Sequence, residues 1–334
     1  MSIIIPVYNK IEYLRDCISA LLDQEYNKYE IIIVDDGSTD GSSELLDTIA
    51  FENMNKSIKV YHQKNQGVAV ARNKGISLAK GDWIWFVDAD DVPSGLWLSK
   101  IRAYFEEGEY DIICSDYIKV FPDHKEEEAK TFIQGEVEKN EFPRIFMELQ
   151  YQTGYFGYLW CKLLRKSFIE KSQALFTPGL ILAEDLKFLV ALYVKEPRII
   201  FTCDQAYKYT LDANNSSKDK KIDYMAQLDI HYDIYLWIKN TKYFEKYKGE
   251  LKKHISYYVA FVFFYGFEDT KALDREFDWW KQNSKYSDCL DPKMMKGIMK
   301  LLVILLKRGM NTTIELVLKT RGMLRSLYRR GKRI

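Results

Sequence analysis

Short, almost wholly apolar segments near the start of the chain constrain its fold more than any other feature. They are Ile3–Val7, Glu30–Val34 and Trp83–Val87, and such segments are typical of β-strands that are buried on both faces. Between them lie stretches with the apolar spacing of amphipathic helices, such as 12–24 and Val68–Ala79. Strands that alternate with helices predict an α/β fold, in which helices flank both faces of a mostly parallel sheet.

The last third of the chain has a different pattern. From about Lys218 onward, aromatic and aliphatic residues recur at helical spacing, which is more typical of core packing than of a ligand site. The length of 334 residues is enough for two domains of ordinary size. We therefore predict an α/β domain over residues 1–217 and an α-helical C-terminal region over 218–334.

Charged residues are distributed unevenly along the chain. It carries 49 Lys and Arg against 48 Asp and Glu, a formal net charge of +1. The segment Lys293–Ile334, however, holds twelve Lys or Arg and only one acid, Glu315. The overall balance argues against a protein that binds polyanions over its whole surface. The chain is instead a mildly acidic body with a strongly basic tail.

The basic tail, residues 293–334, contains two amphipathic segments, 294–306 and 312–328. Basic residues beside an apolar face predict binding to an anionic membrane surface. The alternatives are a helix packed on the protein body and a self-association surface, which would make the protein a homo-oligomer. No nucleic-acid-binding signature accompanies the charge, so a nucleic-acid partner is not expected.

Cysteine usage and the lack of long apolar segments indicate a cytoplasmic protein. The five cysteines are widely scattered and include no Cys-x-x-Cys pair, as expected of reduced thiols. The first strand begins two residues into the chain, so no signal peptide is expected. The longest uninterrupted apolar run, Leu301–Leu306, is far shorter than the ~20 residues that span a bilayer. No transmembrane helix is predicted.

Polar or acidic clusters follow the three apolar strands. They are Pro6–Asn9, Asp35–Asp40 and Asp88–Asp91. Ligands of open α/β sheets bind at the carboxyl ends of the strands, so these clusters predict one site at that edge. Asp88 and Asp90 lie two residues apart and suit a hard divalent cation with a phosphate ligand. Each cluster alone is equally consistent with an ordinary turn, because Asp and Asn are common turn residues.

Familiar phosphate-binding loops are missing from the sequence. It contains no G-x-x-x-x-G-K-[ST] motif, and no G-x-G-x-x-G motif follows the first strand. A sugar-nucleotide pyrophosphorylase would carry a Gly-rich basic loop just after that strand, and Pro6–Glu12 has none. A bound nucleotide is therefore expected to be held through a metal ion.

Four segments together resemble the successive motifs of the family 2 glycosyltransferases with the GT-A fold. They are Ser2–Asn9, Ile32–Asp40, Asn65–Asn73 and Phe86–Asp91, and their order and spacing match throughout. The resemblance covers residues 1–120 and implies a Rossmann-like sheet that binds a nucleotide-sugar, usually a UDP-sugar. By this resemblance residues 1–120 form the donor half of the α/β domain.

The resemblance also implies roles for individual donor-site residues. Pro6 and Asp36 would line the nucleoside site, with Asp36 accepting a hydrogen bond from the base, and Arg72 would lie near the base or the diphosphate. Asp90 would bind Mn²⁺ or Mg²⁺ with the help of Asp88. The implied donor-binding residues are Pro6, Val7, Tyr8, Asn9, Asp36, Gly67, Arg72, Asp88 and Ala89. Asp91 is either an outer-shell helper or a helix cap.

Residues 121–217 resemble the acceptor half of the same family. Trp160–Arg165 and Ala183–Phe188 are similar to its W-x-K-L and E-D-x-x-F patterns. A sugar hydroxyl needs a positioned base, and the resemblance implies Asp185 as that base, with Glu184 and Trp160 binding the acceptor. The alternative is that both acids only favour the first turn of a helix. The segment 207–217 loosely resembles an element that closes over the donor diphosphate, or is an ordinary polar loop.

The resemblance as a whole implies an inverting, metal-dependent transferase for hexosyl or N-acetylhexosaminyl groups. Its donor would be a UDP-sugar, and its acceptor a hydroxyl of a glycan or a lipid-linked oligosaccharide. Bacterial capsule, exopolysaccharide or lipopolysaccharide synthesis is the expected setting, on the inner face of the cell membrane. A non-catalytic glycan-binding or membrane-associated scaffold is the alternative from a different class.

Overall fold

The computed structural model describes residues 1–180, 182–211, 222–263, 273–310 and 313–314. It divides the chain into two compact units, Met1–Lys221 and Ile222–Ile334. The boundary expected from the sequence, between residues 217 and 218, lies outside the described residues.

The described part of the first unit contains a single sheet of ten strands. Its order is β3-β2-β1-β4-β9-β6-β10-β5, while β7 pairs with β6 and β8 with β10. The strands are β1 (Ser2–Val7), β2 (Glu30–Asp35), β3 (Ile58–His62), β4 (Trp83–Phe86), β5 (Val92–Pro93), β6 (Ile112–Val120), β7 (Glu126–Ala129), β8 (Gly135–Val137), β9 (Lys162–Arg165) and β10 (Ile199–Thr210).

The direction of the strands changes across the sheet. β3, β2, β1 and β4 are parallel to one another, and β6 is parallel to β10. β9 runs antiparallel to both β4 and β6, and so joins the two parallel parts. The predicted α/β fold with a helix-flanked sheet is confirmed, and its parallel character is strongest in the first half of the unit.

Helices cover this sheet. They are α1 (Leu14–Leu22), α2 (Ser42–Glu52), α3 (Val68–Leu78), α4 (Trp97–Lys100), α5 (Arg102–Glu106), α6 (Phe142–Thr153), α7 (Lys166–Ser172) and α8 (Glu184–Tyr193). The isoleucines of β1 and β2 are completely buried, as expected of strands covered on both faces. α3 lies so close to β1 that a Cβ on Gly75 would come within 2.3 Å of the Ile4 side chain.

The charge-rich segment 123–130 contains a strand. Its run of charged residues predicts a solvated loop, yet Glu126–Ala129 is strand β7, paired antiparallel with β6. Its three glutamates are exposed. A sheet edge can hold such residues because the pairing uses backbone groups while the side chains remain in water.

The described part of the second unit is helical, as predicted. Its helices are α9 (Tyr224–Lys239), α10 (Phe244–Phe261), α11 (Leu273–Gln282) and α12 (Gly297–Lys307). α9 packs along α10 through buried aliphatic residues that include Leu228, Ile234 and Ile255. None of the described helices is long and apolar enough to cross a membrane.

The basic tail is described only in part. In α12, Leu302, Val303, Leu305 and Leu306 are buried, and the helix packs against α10. The most apolar face of this first amphipathic segment is therefore packed within the helical unit, which is one of the alternatives to membrane binding given above. Except for residues 313 and 314, the second amphipathic segment, 312–328, lies outside the described residues.

Candidate active site

The loop that follows β4 carries the acidic cluster and is hydrogen-bonded to β10. The backbone amide of Asp88 donates to the Oη of Tyr207 at 2.8 Å. The carboxylate of Asp91 accepts from the amide of Thr210 at 3.1 Å. Burial and the nearby charge of Asp88 raise the pKa of Asp91 to about 8. Asp91 precedes strand β5 rather than a helix, so it anchors the loop and caps no helix.

Arg72 on α3 joins the donor-side and acceptor-side carboxylates. Its Nη2 donates to Oδ1 of Asp88 at 3.1 Å, and its Nη1 donates to Oδ1 of Asp185 at 2.5 Å. The same Nη1 lies 3.3 Å from Oε1 of Glu184. Only 4% of the Arg72 side chain is exposed, so these ion pairs form largely out of water, where charge–charge attraction is strong.

The surroundings of Arg72 hold it in this position. The guanidinium lies 5.4 Å from the centre of the Phe176 ring, which is within the range of a cation–π contact. Asn73, the next residue of α3, bonds to the backbone of Phe176 and so fixes the position of this ring. Its side chain donates to the carbonyl of Phe176 at 2.9 Å and accepts from the amide of Phe176 at 3.0 Å. The Nε of Arg72 is buried and has no hydrogen-bond partner in the described structure.

Glu184 and Asp185 form the first turn of α8, as the alternative interpretation of this motif expected. The helix starts after Ala183, a non-glycine residue in the left-handed region at φ 62°. Both acids also face Arg72, so their position is set by an ion pair and not by the helix dipole alone. Burial raises the pKa of Asp185 to about 8, against the opposing effect of Arg72. A carboxyl group with a raised pKa is a stronger base than an ordinary aspartate.

Asp36 holds the loop that leads into α3. Its carboxylate accepts from the side chain of Gln63 at 2.7 Å, from the amide of Gln66 at 2.9 Å and from the amide of Gly67 at 2.7 Å. Gly67 has φ 91°, a value that L side chains rarely adopt. Asp36 is 3% exposed, and its predicted bond to a nucleoside base stays a prediction.

The residues at the end of β1 and just after it divide into exposed and buried groups. Tyr8 is 48% exposed, whereas Val7 is buried and can reach a ligand only through its backbone. Asn9 adopts φ 53°, and its side-chain oxygen accepts from the amide of Thr39 at 2.8 Å. Pro6 lies at the end of β1 opposite Val34 of β2. The predicted donor segment therefore lies at the carboxyl edge of the sheet.

Asp90 forms an ion pair with Lys10 and is only partly exposed. Its Oδ2 is in contact with the Nζ of Lys10. Ala89, between the two aspartates of the motif, is buried and presents only its backbone. In the described residues no cluster of three or more His, Cys, Asp and Glu side chains forms a metal site.

Trp160 lies inside a stack of aromatic rings. Its ring centre is 5.1 Å from that of Tyr158, 4.8 Å from that of Tyr207 and 5.2 Å from that of Tyr209, all nearly parallel. Trp160 is 3% exposed, so its ring is covered in this structure. The half-buried Tyr158 and Tyr209 form the outer part of the stack.

The sequence motifs do not reveal two contacts of the acidic loop, which are made by Lys10 and by Tyr207. Lys10 follows the Ser2–Asn9 motif directly, but a single lysine there resembles any surface lysine. Tyr207 falls in the loosely matching segment 207–217, and its hydroxyl contact with Asp88 has no sequence signal. The rest of that segment after residue 211 lies outside the described residues.

The sequence of the chain is similar to those of known glycosyltransferases. The sequence model of the family "Glycosyl transferase family 2" matches residues 2–172. The chain is 30% identical to the uncharacterized glycosyltransferase EpsJ of Bacillus subtilis over 69% of this chain and 66% of EpsJ. It is 40% identical to the glycosyltransferase GlyG of Streptococcus pneumoniae serotype 4 over 35% of this chain and 38% of GlyG. The chain therefore spans less than two thirds of either relative.

A solved structure has a similar fold. The match to residues 1–349 of S. aureus TarS, crystallised in complex with UDP-GlcNAc, has a TM-score of 0.64 and 18% sequence identity. It covers 99% of this chain and 91% of that chain. The predicted GT-A fold is confirmed by this likeness.

Proposed function

The chain belongs to glycosyl transferase family 2. On that premise we propose that it is a glycosyltransferase, which transfers a sugar from a UDP-sugar to a hydroxyl of a glycan or lipid-linked oligosaccharide. The observation that carries the proposal is the bridge from Asp88 through Arg72 to Asp185. It brings a donor-side carboxylate and a candidate base to one buried cation. A single-displacement transferase needs that proximity, because donor and acceptor must meet in one step.

The donor is proposed to bind along the carboxyl ends of β1, β2 and β4. Tyr8, which is exposed, the hydrogen-bonded pair Asp36 and Gly67, and the two residues Asp88 and Ala89 lie at this edge. UDP-GlcNAc in the TarS complex supports a UDP-sugar as the donor class. The transferred group is proposed to be a hexosyl or an N-acetylhexosaminyl group.

The carboxylates of the loop fit a divalent cation. Asp90 is partly exposed and already attracts a cation, the Nζ of Lys10. Mg²⁺ and Mn²⁺ are held by one or two carboxylates together with substrate phosphates, so a closed cluster of protein ligands is not needed. Asp90 would hold the ion, and Asp88, which bonds to Arg72, is its second candidate ligand. When bound, the cation supplies Lewis-acid charge that offsets the negative charge on the departing diphosphate.

Asp185 is proposed to be the general base. Its carboxylate takes the proton of the acceptor hydroxyl while the acceptor oxygen bonds to the anomeric carbon. The bond from that carbon to the UDP oxygen breaks in the same step, and UDP leaves with the bonding electrons. Attack opposite to the leaving group inverts the anomeric configuration. Arg72 keeps Asp185 in place and is itself held by Asp88.

Glu184 and the aromatic stack are proposed to form the acceptor side. The carboxylate of Glu184 is 15% exposed and lies next to the proposed base. Trp160 is covered by its neighbours, so it would act by supporting Tyr158 and Tyr209, whose half-buried rings can pack on a sugar. Bacterial surface polysaccharide synthesis is the proposed setting, and both relatives named above are bacterial glycosyltransferases.

We also propose that the protein works at the inner face of the cell membrane. α12 exposes Ile298 and Leu301 beside Lys296 and Lys300, a combination that favours an anionic lipid surface. Co-sedimentation with phosphatidylglycerol vesicles tests this. Binding that is lost in phosphatidylcholine vesicles or in Lys296→Gln/Lys300→Gln supports it, and equal recovery in the soluble fraction with both lipids contradicts it.

A donor panel tests the proposed reaction. The purified chain is incubated with Mn²⁺ or Mg²⁺, a lipid-linked acceptor and each common UDP-, GDP- and dTDP-sugar, and nucleotide release is measured. Release from a UDP-sugar that both EDTA and Asp90→Ala abolish supports the proposal. Turnover of only a GDP- or dTDP-sugar, or turnover that survives EDTA, contradicts the donor or the metal part of it.

A further inference from the structure

We propose that Lys10 is an exchangeable counter-ion of Asp90. It pairs with that carboxylate in the donor-free enzyme and yields it to the divalent cation when the nucleotide-sugar binds. The inference rests on the proposed function, since it assumes a donor diphosphate and a divalent cation at this edge of the sheet. The ion pair between the Nζ of Lys10 and Oδ2 of Asp90 carries it.

Four acidic groups of the site pair with two cations. The buried Arg72 is occupied by Asp88 and by the two carboxylates at the start of α8. Asp90 pairs instead with Lys10, which is on a different loop 80 residues away in sequence. The carboxylate best placed to hold a divalent ion is thus the one whose cationic partner is a flexible lysine.

The backbone of the Lys10 loop is fixed by hydrogen bonds, while in the described part of the chain the end of its side chain is held only by Asp90 and by a contact of 5.8 Å between its Nζ and the centre of the Tyr13 ring. Three consecutive amide groups of the loop donate to side chains in the loop after β2 and at the first residue of α2, at 3.0, 3.0 and 3.1 Å. The donors are Asn9, Lys10 and Ile11, and the acceptors are Ser38, Ser42 and Asp40. This anchoring aims the four-carbon stem of Lys10 at the acidic loop, but only the terminal ammonium holds Asp90.

Exchange of this ion pair is energetically easy. The side chains of Lys10 and Asp90 are 26% and 38% exposed, and ion pairs in contact with water are weak and sensitive to salt. A divalent ion that arrives with a diphosphate brings twice the charge of the ammonium to Asp90. The displaced ammonium remains at the edge where the diphosphate lies, and lysine is a common phosphate partner. The metal is therefore expected to enter with the donor and to bind weakly without it.

Metal binding by the donor-free chain tests the inference without any assay of activity. Electron paramagnetic resonance of free Mn²⁺ gives the Kd of the wild type and of Lys10→Met, which removes the ammonium and keeps the chain length. We expect the variant to bind Mn²⁺ about tenfold more tightly, because the competing charge is gone. Lys59→Met is the matched control, since Lys59 pairs with Glu30 at 2.7 Å; its Kd should equal that of the wild type.

The outcomes separate this inference from the proposed function. An unchanged or weaker Mn²⁺ affinity in Lys10→Met, while the wild type binds Mn²⁺ in the presence of UDP, overturns the exchange and leaves the metal proposal standing. If neither protein binds Mn²⁺ even with UDP, the metal proposal is wrong and the exchange is overturned with it. A tighter Kd in Lys10→Met that Asp90→Asn cancels supports the exchange at this carboxylate.

Discussion

Arg72 donates one hydrogen bond to Asp88 and another to Asp185, at 3.1 and 2.5 Å. One carboxylate lies on the loop after β4 and the other in the first turn of α8, 97 residues apart in the sequence. A buried guanidinium is a rigid connector, because its donors lie in one plane with fixed directions. The position of the proposed base is therefore set from the donor side of the site.

Arg72→Lys tests this connection. A lysine retains the positive charge but cannot donate to both carboxylates from one planar group. The Asp185 carboxylate should therefore shift by up to about 1 Å. We expect kcat to fall about 10²-fold with a smaller change in the KM for the donor. Steady-state kinetics with the donor varied gives both constants. A higher KM with unchanged kcat would instead place Arg72 in donor binding alone.

The pH dependence of transfer should report the raised pKa of Asp185. The base must be ionised, and burial raises its pKa to about 8, so kcat should increase about tenfold per pH unit below that value and level off above it. Arg72→Met removes the charge that favours ionisation and should move the rise to higher pH. A rate that is flat between pH 6 and 9 in the wild type would contradict this role.

Tyr207→Phe should loosen the acidic loop. The variant leaves the Asp88 amide without its 2.8 Å partner, which costs about 1–3 kcal/mol when the group stays buried. Tyr193→Phe is the control, because Tyr193 also loses one buried bond, to the carbonyl of Phe156. Urea unfolding should show similar destabilisation for both, and only Tyr207→Phe should lower the donor affinity. Equal donor affinity in the two variants would show that the bond serves the fold alone.

The helical unit should be destabilised by acid through His231. Burial and the neighbouring His254 lower the pKa of His231 to about 3, whereas the unfolded chain has an ordinary value of ~6.5. The unfolded state therefore binds a proton first, and stability should fall as pH decreases below ~6.5, by about 1.4 kcal/mol per unit at most. Urea unfolding at pH 7 and 5 measures this. His231→Phe, which keeps a ring against Tyr258, should have the smaller loss; an equal loss would assign the effect to other groups.

Much of the fold could be predicted because strands buried on both faces have no room for polar residues. Ile3–Val7 and Trp83–Val87 therefore stand out, and the acidic clusters fall where the strands end. β7 was not predictable in this way, since its pairing with β6 uses backbone groups. A charged edge strand and a solvated loop have the same composition.

The candidate site was predictable as a set of residue types and not as a set of contacts. The resemblance identifies Asp88, Arg72 and Asp185 by their motifs, but it implies that Arg72 lies near the base or the diphosphate. Its bond to Asp185 spans 113 residues and depends on how α3 and α8 approach each other. Likewise, Trp160 matches its motif, yet only packing shows that neighbouring rings cover it.

Asp185→Asn provides the most direct test of the account, with binding and transfer measured on the same preparation. The amide is the same size and cannot accept the acceptor proton, so UDP-sugar affinity from calorimetry should stay within about twofold while the transfer rate falls about 10³-fold or more. Transfer within tenfold of the wild type would contradict Asp185 as the base and, with it, the role assigned to Arg72.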